Sequence, residues 1–490
     1  MRLCRRDFAR WMIGGLAASG LRAAARPKLL VLVVLEQCRG DYLESLSGGF
    51  TAGGFKKILE KGSSFPDCRH LASGFSSTGV ATLATGAWPA QHGIVADSWY
   101  DPAAKTRVRA NDEALLASTL LYEVARDPNS RVAVVSTNGA RGRLFAGTED
   151  ASLYWMDDGG QFQTNGTPPD WMVQFNQRRS PESHHNERWN IPGVRADAPP
   201  LRSLAYDPAH PESYMALYKA SPFGQESQFD FVNELIVREG FGQQKNSLDV
   251  LCVLAGSTEL LGYETGADSK LMEQMVYSLD RRLEALLALL TKTAGEGNFS
   301  LVFTAAHGAP DEPVDAARQR MAVDGEALAK RIDAALTAHG MGRVNKFLYP
   351  FLYLDTSAFR DPEEIRKAAG RAALEHPAVA DYYTAGGACS AQDAWQARFR
   401  NSFHPRRSGD VMLAYRPGYV EEFGAKRGVS YGSIYNYDAQ VPLLLYGPQF
   451  RAGVFNRTVE SVDIAATLAL ALGITAPTSA VGRVLTEALV

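Results

Sequence analysis

Leu29-Leu30-Val31-Leu32-Val33-Val34-Leu35, followed at once by Glu36-Gln37-Cys38-Arg39, decides how the rest of the chain is read. Seven branched apolar residues run together with no polar alternation. A strand with one wet face alternates, so a continuous run of this kind marks a strand covered on both faces, as in a parallel sheet. Further runs of the same character are Arg131–Ser136, Val250–Ala255, Phe299–Thr304 and Val441–Tyr446. Helical patterns lie between them. The clearest is Asp268–Thr293, where Leu271, Met275, Leu279, Leu283 and Leu287 recur every four residues with charges between. Others are Asp112–Ala125, Asp324–Ala338 and Val462–Leu472. Strands alternating with helices predict an α/β fold with a mostly parallel sheet. In such sheets reactive groups gather beyond the carboxyl ends of the strands. The positions to inspect are therefore Glu36, Ser257–Tyr263 and Ala305–Gly308.

Composition narrows the class. Of 490 residues, 46% are hydrophobic and 21% charged, which excludes a disordered chain, a collagen-like repeat or a coiled coil. Fifty-one Lys and Arg against 54 Asp and Glu leave a formal charge of −3, with no electrostatic footprint for nucleic acid. Two stretches break the strand–helix alternation, about 150–243 and about 310–429. Both read as cap insertions into one domain spanning 26–490, because Val441–Tyr446 must return to the same sheet.

The first 25 residues read as an export signal. Met1–Arg10 is basic, Trp11–Leu21 is apolar, and Ala23-Ala24-Ala25 offers small residues for cleavage. Arg5-Arg6-Asp7-Phe8 resembles a bacterial twin-arginine signal. The apolar run falls short of the roughly 20 residues a membrane span needs. A bacterial, periplasmic or secreted mature chain with no membrane span is expected. Cys38, Cys68, Cys252 and Cys389 show no CxxC spacing, and Cys252 inside an apolar run reads as a free core thiol.

Five segments together resemble the alkaline phosphatase superfamily, in its phosphate-irrepressible alkaline phosphatase and type I phosphodiesterase/nucleotide pyrophosphatase branch. They are Val33–Leu43 (VVLEQCRGDYL), Phe75–Tyr100 (FSSTGVATLATGAWPAQHGIVADSWY), Ser257–Gly262 (STELLG), Thr304–Ala309 (TAAHGA) and Gly432–Gly447 (GSIYNYDAQVPLLLYG). The resemblance covers essentially the whole mature chain. It implies a three-layer α/β/α sandwich and phosphoryl transfer to a Ser or Thr across two zinc ions. Each ion would be held by carboxylate and imidazole groups.

Carried onto this sequence, the first zinc site would use Glu36, Ser76, Ala306 and His307. Ser76 matches the nucleophile, and Glu36 is a carboxylate with one extra methylene. Ala306 has no side-chain donor. The second site would use Glu259, Tyr263 and Gln440, where the family has Asp, His and His. A neutral phenol and an amide are poor zinc ligands. Asp97 stands where the family has an amide beside the phosphate oxygens. A carboxylate there repels a phosphoryl dianion. Arg141 matches a phosphate-binding arginine, with Arg143 as the alternative, while Gly139 falls near a lysine position.

Plainer roles are open to the same residues. Ser76, Ser77 and Thr78 can cap a helix in any protein. Glu36 and Glu259 can be paired with Arg39, Arg141 or Arg143, since buried carboxylates are generally paired. His184 and His185, beside Glu187, read as solvated, and His92 as structural. The expectation is a family protein with a degraded zinc centre, impaired or inactive as a phosphatase, whose pocket binds a phosphoester or other small anion. The alternative is an active hydrolase, better with diesters than monoesters. It would use Ser76 and at most one weakly held divalent ion on Glu36, Ser76, Glu259 and His307.

Overall fold

The computed structural model describes residues 26–490 except 191–198, 245–246, 318, 358, 390–392 and 423–428. The export signal read at 1–25 lies outside the described residues. The run at 29–35 lies within β1 (Leu29–Gln37), a central strand of a ten-stranded sheet. In chain order the other principal strands are β2 (Ser63–Arg69), β3 (Arg131–Ser136), β4 (Ser152–Met156) and β5 (Phe162–Thr164). They are followed by β6 (Asp249–Ala255), β7 (Phe299–His307) and β8 (Gln440–Tyr446). The spatial order is β2-β8-β7-β1-β6-β3-β4-β5, with two short strands, Gly453–Val454 and Val459–Glu460, pairing with β2.

The five strands from β7 to β4 run parallel, so their carboxyl ends share one edge. Every residue of β1, β6 and β7 is buried, which is why these segments carry no alternation. Each Val or Leu buried there contributes about 1.5–3 kcal/mol. The run at 441–446 behaves otherwise than expected. As part of β8 it is antiparallel to β7, with Leu301 opposite Tyr446, and antiparallel to β2 as well. An inner strand is covered on both faces whichever way it runs, so the apolar run carried no direction.

The helices used below are α1 (Ser76–Thr85), α2 (Gly139–Ala146), α3 (Pro211–Lys219), α4 (Pro222–Arg238), α5 (Ser257–Thr265) and α6 (Lys270–Thr293). α1 and α2 pack on each other and on the sheet; α4, α5 and α6 form a second mutually packed group. The result is the expected three layers. In α6 the fourfold repeat buries Met275, Leu279, Leu283 and Leu287. The hydroxyl of Ser269 accepts the Met272 amide at 3.2 Å and fixes where α6 begins. The helix expected at 112–125 is shorter, Leu120–Ala125, because Thr119 caps it by accepting the Tyr122 amide at 3.0 Å.

The two proposed insertions differ from each other. The stretch 150–243 supplies β4 and β5 to the central sheet and α4 to its face, so only its middle forms a cap. The stretch 310–429 builds a second, antiparallel sheet from Val344–Leu348, Phe351–Leu354, Val379–Thr384 and Val411–Tyr415. Helices Gly325–Ala338 and Pro362–Leu374 cover it with a core of its own that includes Leu328, Ile332, Ile365 and Leu413.

Candidate functional site

The shared carboxyl edge of the parallel strands gathers the chemistry-bearing residues. Glu36 lies near the end of β1 and His307 ends β7, one register step apart, since Gln37 pairs with His307. β6 ends at Ala255, and α5 starting two residues later carries Glu259. β3 ends at Ser136; Asn138 then caps α2, accepting the Arg141 amide at 3.1 Å, and α2 carries Arg141 back over the edge. Ser76 opens α1.

Two glycines allow these approaches. A Cβ at Gly79 would lie 2.0 Å from the Ala306 carbonyl oxygen, so only glycine lets α1 sit on β7. A Cβ at Gly256 would come within 2.7 Å of Glu36 Oε2, so the missing side chain leaves room for the longer carboxylate arm of Glu36.

Within the site every charged group has a partner inside the protein. Arg141 Nη1 donates to Glu36 Oε2 and to Glu259 Oε2, 2.5 Å each. Glu259 Oε1 accepts from the Ser76 hydroxyl and the Tyr431 hydroxyl. The Tyr263 hydroxyl donates to Tyr431, so a phenol relay ends on the same carboxylate. Ser76 Oγ also lies 2.8 Å from His307 Nε2. His307 Nδ1 donates to the Gly308 carbonyl at 2.6 Å, and Nε2 faces Ser76. The Tyr431 ring covers the His307 ring at 4.0 Å between centroids. Ser76, His307, Glu36, Glu259 and Tyr431 are all buried.

The two carboxyl groups are driven apart electrostatically. Burial is the largest influence on Glu36 and outweighs the guanidinium beside it; with the charge of Glu259 added, its carboxyl is held well above the usual range. Burial pushes Glu259 the same way, but the positive charge of Arg141 outweighs it and holds that carboxyl well below. Arg141 thus stands between two carboxyl groups whose proton affinities are driven in opposite directions. Burial also raises the Tyr263 and Tyr431 phenols, so both stay neutral donors.

Other sequence-selected residues make their hydrogen bonds outside the cluster. Gln440 turns away, its amide donating to the Pro66 carbonyl at 2.9 Å. Asp97 Oδ1 accepts the Ser77 amide at 2.8 Å at the start of α1, where a helix N-terminus favours a carboxylate. It caps the helix and does not line the cavity described below. Ser76 is the first residue of α1 rather than its cap, a position held by Phe75; the Thr78 hydroxyl accepts the Phe75 amide at 3.2 Å. His92 is buried between Thr82 Oγ1 and the Ile94 amide, both at 3.1 Å. His184 and His185 are packed rather than solvated. His185 stacks on Tyr206 at 3.7 Å, and His184 lies 4.9 Å from Phe223. Tyr431, which joins the phenol relay to Glu259, was not anticipated; it precedes the family-like segment 432–447 by one residue, and nothing in its local sequence marks it.

A cavity of about 960 Å³ opens against this cluster. Glu36, Arg141, Glu259 and Tyr263 line it, opposite α3, and neither Ser76 nor His307 reaches it. Glu36 Oε1 has no hydrogen-bond partner among the described residues.

A three-layer α/β/α sandwich with its polar cluster at the carboxyl edge is the architecture of a phosphoesterase superfamily. The profile of the type I phosphodiesterase/nucleotide pyrophosphatase family matches residues 30–432, and the chain belongs to that family. It is 27% identical to alkaline phosphatase PhoV of Synechococcus elongatus, with 96% of this chain and 94% of that protein aligned. With alkaline phosphatase PafA of Elizabethkingia meningoseptica it shares 26% identity over 98% of each. The crystal structure of wild-type PafA superposes with a TM-score of 0.82 at 23% identity, covering 95% of this chain and 99% of that one. Murine ectonucleotide pyrophosphatase/phosphodiesterase 5, an inactive variant in complex with AMP, matches with a TM-score of 0.57 at 15% identity, covering 92% and 96%.

The donor set does not fit the pair of zinc ions that the superfamily implies. Arg141 holds one oxygen of each carboxylate. Ala306 offers no side-chain donor, Gln440 is bonded elsewhere, and Tyr263 is a neutral phenol. His307 and Ser76 are bonded to each other.

Proposed function

We propose that this chain is an exported family member that does not hydrolyse phosphate monoesters through a two-zinc centre and acts as a ligand-binding protein. The observation that carries the reading is Arg141 Nη1, 2.5 Å from both Glu36 and Glu259, a cation built into the chain between two carboxylates at metal-ligand positions. A guanidinium there satisfies the charges that metal ions would otherwise balance. The burial of Ser76 beneath Glu259 and Tyr431 supports the same reading, because its hydroxyl has no open path to the cavity. The bacterial origin of PhoV and PafA, together with the basic-then-apolar leader at 1–25, supports export. Among the described residues no helix is long and apolar enough to cross a membrane.

The test is elemental analysis of the purified mature chain with assays on nitrophenyl phosphate and bis-nitrophenyl phosphate. Well under one zinc per chain and no turnover are expected. Two tightly held zinc ions, or turnover that Ser76→Ala abolishes, would refute the proposal. One bound divalent ion with diesterase activity lost in Glu259→Ala would establish the one-metal alternative instead.

A further inference from the structure

We infer that α3, which forms one wall of the cavity, is a pH-sensitive element: His184 and His185 behind it hold it in place while neutral and release it when protonated. The inference rests on the cavity being the place of the ligand proposed above, because loosening α3 opens that place. Of the residues of α3, Glu212, Ser213, Met215, Ala216, Leu217 and Lys219 line the cavity. Only Tyr214 and Tyr218 are buried, and neither is on the lining. A wall held by so few buried side chains belongs to the low-stability end of a fold. Those two rings lock into the histidine pair. His185 stacks on Tyr206 at 3.7 Å and meets Tyr214 edge-on at 4.5 Å, while the Tyr214 hydroxyl donates to the Pro181 carbonyl. His184 lies 4.9 Å from Phe223 and 5.8 Å from Tyr218.

The ring nitrogens supply the sensitivity. His184 Nδ1 and His185 Nε2 are closed off from solvent and have no hydrogen-bond partner among the described residues. A neutral imidazole tolerates this, since its one proton can sit on the other nitrogen. An imidazolium carries N–H on both, so the second proton must occupy the sealed position, where no acceptor receives it. The charged neighbours do not repair this. Arg179, tied to Asp230, and the carboxylates Glu187 and Glu226 act on His184, and Glu226 is 3.3 Å from Arg282. Tyr206 and Tyr214 face His185, with Glu182 acting on the Tyr214 phenol. Among the described residues no carboxylate lies within ion-pair distance of either ring. Burial lowers the proton affinity of His184 against the opposing pull of Glu187 and Glu226. A stacked tyrosine face attracts a cation, but at half-buried rings that attraction is smaller than the loss from an orphaned N–H. With its value depressed in the closed arrangement, His184 binds its proton more tightly once α3 has moved. The closed arrangement is therefore fully favoured above the ordinary histidine value of 6.5 and loses ground as pH falls below it.

Hydrogen–deuterium exchange of the full mature chain tests this, with uptake corrected for the intrinsic pH dependence of amide exchange. From about pH 7.5 to about pH 5 the protection of α3 is expected to fall about tenfold while that of α6 holds. His184→Phe and His185→Phe keep a flat ring against Tyr218 and Tyr206 and remove the titrating nitrogens. Each should remove part of the fall, and the double variant most of it; the single variants carry the test where the double one does not fold. Equal protection of α3 at both pH values, a fall that the substitutions leave intact, or a fall shared equally by α6 would overturn the inference. Two tightly held zinc ions or turnover of nitrophenyl phosphate would instead overturn the functional proposal above, so the two fail separately.

Discussion

Replacing Arg141 with methionine, close in volume but uncharged, tests the cluster most directly. The guanidinium holds Glu36 and Glu259 at 2.5 Å each and is itself mostly buried. Removing one partner of a buried ion pair costs about 3–5 kcal/mol. Glu36 already favours its neutral form, so the loss falls mainly on Glu259, and we expect Arg141→Met to lose about 3–5 kcal/mol at pH 7. Wild-type Glu259 is held low, so its contribution is present above the ordinary carboxyl range and fades only as pH falls. In the variant both carboxyl groups have raised values, and their cost grows as pH rises. The deficit should therefore shrink at pH 5. Urea unfolding with an unchanged slope measures it, with exposed Arg143→Met as a near-neutral control. The emptied position between two carboxylates should also let millimolar Mn²⁺ stabilise the variant but not the wild type, by about 2.7 kcal/mol at a hundredfold excess over its dissociation constant. A deficit under about 1 kcal/mol at pH 7 with no pH dependence would refute the role given to Arg141.

Other predictions follow from single contacts. Gly79→Ala should lose about 1–3 kcal/mol or more, because its Cβ would lie 2.0 Å from the Ala306 carbonyl oxygen; thermal melting reads this out, and a neutral result would contradict the seating of α1 on β7. Ser76→Ala removes the hydroxyl shared by Glu259 and His307 and should cost about 1–3 kcal/mol in urea unfolding, and a neutral result would contradict its place beneath Glu259. Burial pushes Glu421 up to about 7 despite the Tyr415 hydroxyl bonded to it. A carboxyl with a raised folded value makes stability fall as pH rises from the ordinary range near 4.5 through 7, here by up to about 3 kcal/mol. Glu421→Gln should flatten that slope in unfolding measured across those pH values, and an unchanged slope would assign it to other groups.

The parallel centre of the sheet was legible because β1, β6 and β7 are buried on both faces and their composition says so. The direction of β8 was not, since burial constrains a side chain's surroundings and not which way the backbone runs. β4 reads Ser152-Leu-Tyr-Trp-Met156 beside polar turns, and its place in the sheet was hidden by its brevity. The convergence of Glu36, Ser76, Glu259 and His307 follows from strand ends sharing one edge. That Arg141, rather than Arg39 or Arg143, joins both carboxylates depends on how far α2 is turned over that edge, which spacing alone does not specify. Arg39 instead pairs with Asp41 and Asp311. The His184–His185 pair shows a similar limit: polar neighbours in sequence suggested solvent, while Tyr206, Tyr214 and Tyr218, distant along the chain, enclose it.

A counter-charge that is part of the polypeptide cannot be diluted, chelated or exchanged. A bound ion stabilises its host by mass action, so the host's folding tracks whatever the surrounding medium supplies. With a guanidinium tethered at the strand tips, the counter-charge arrives with the chain, and dialysis against a chelator is expected to leave the melting temperature where it was.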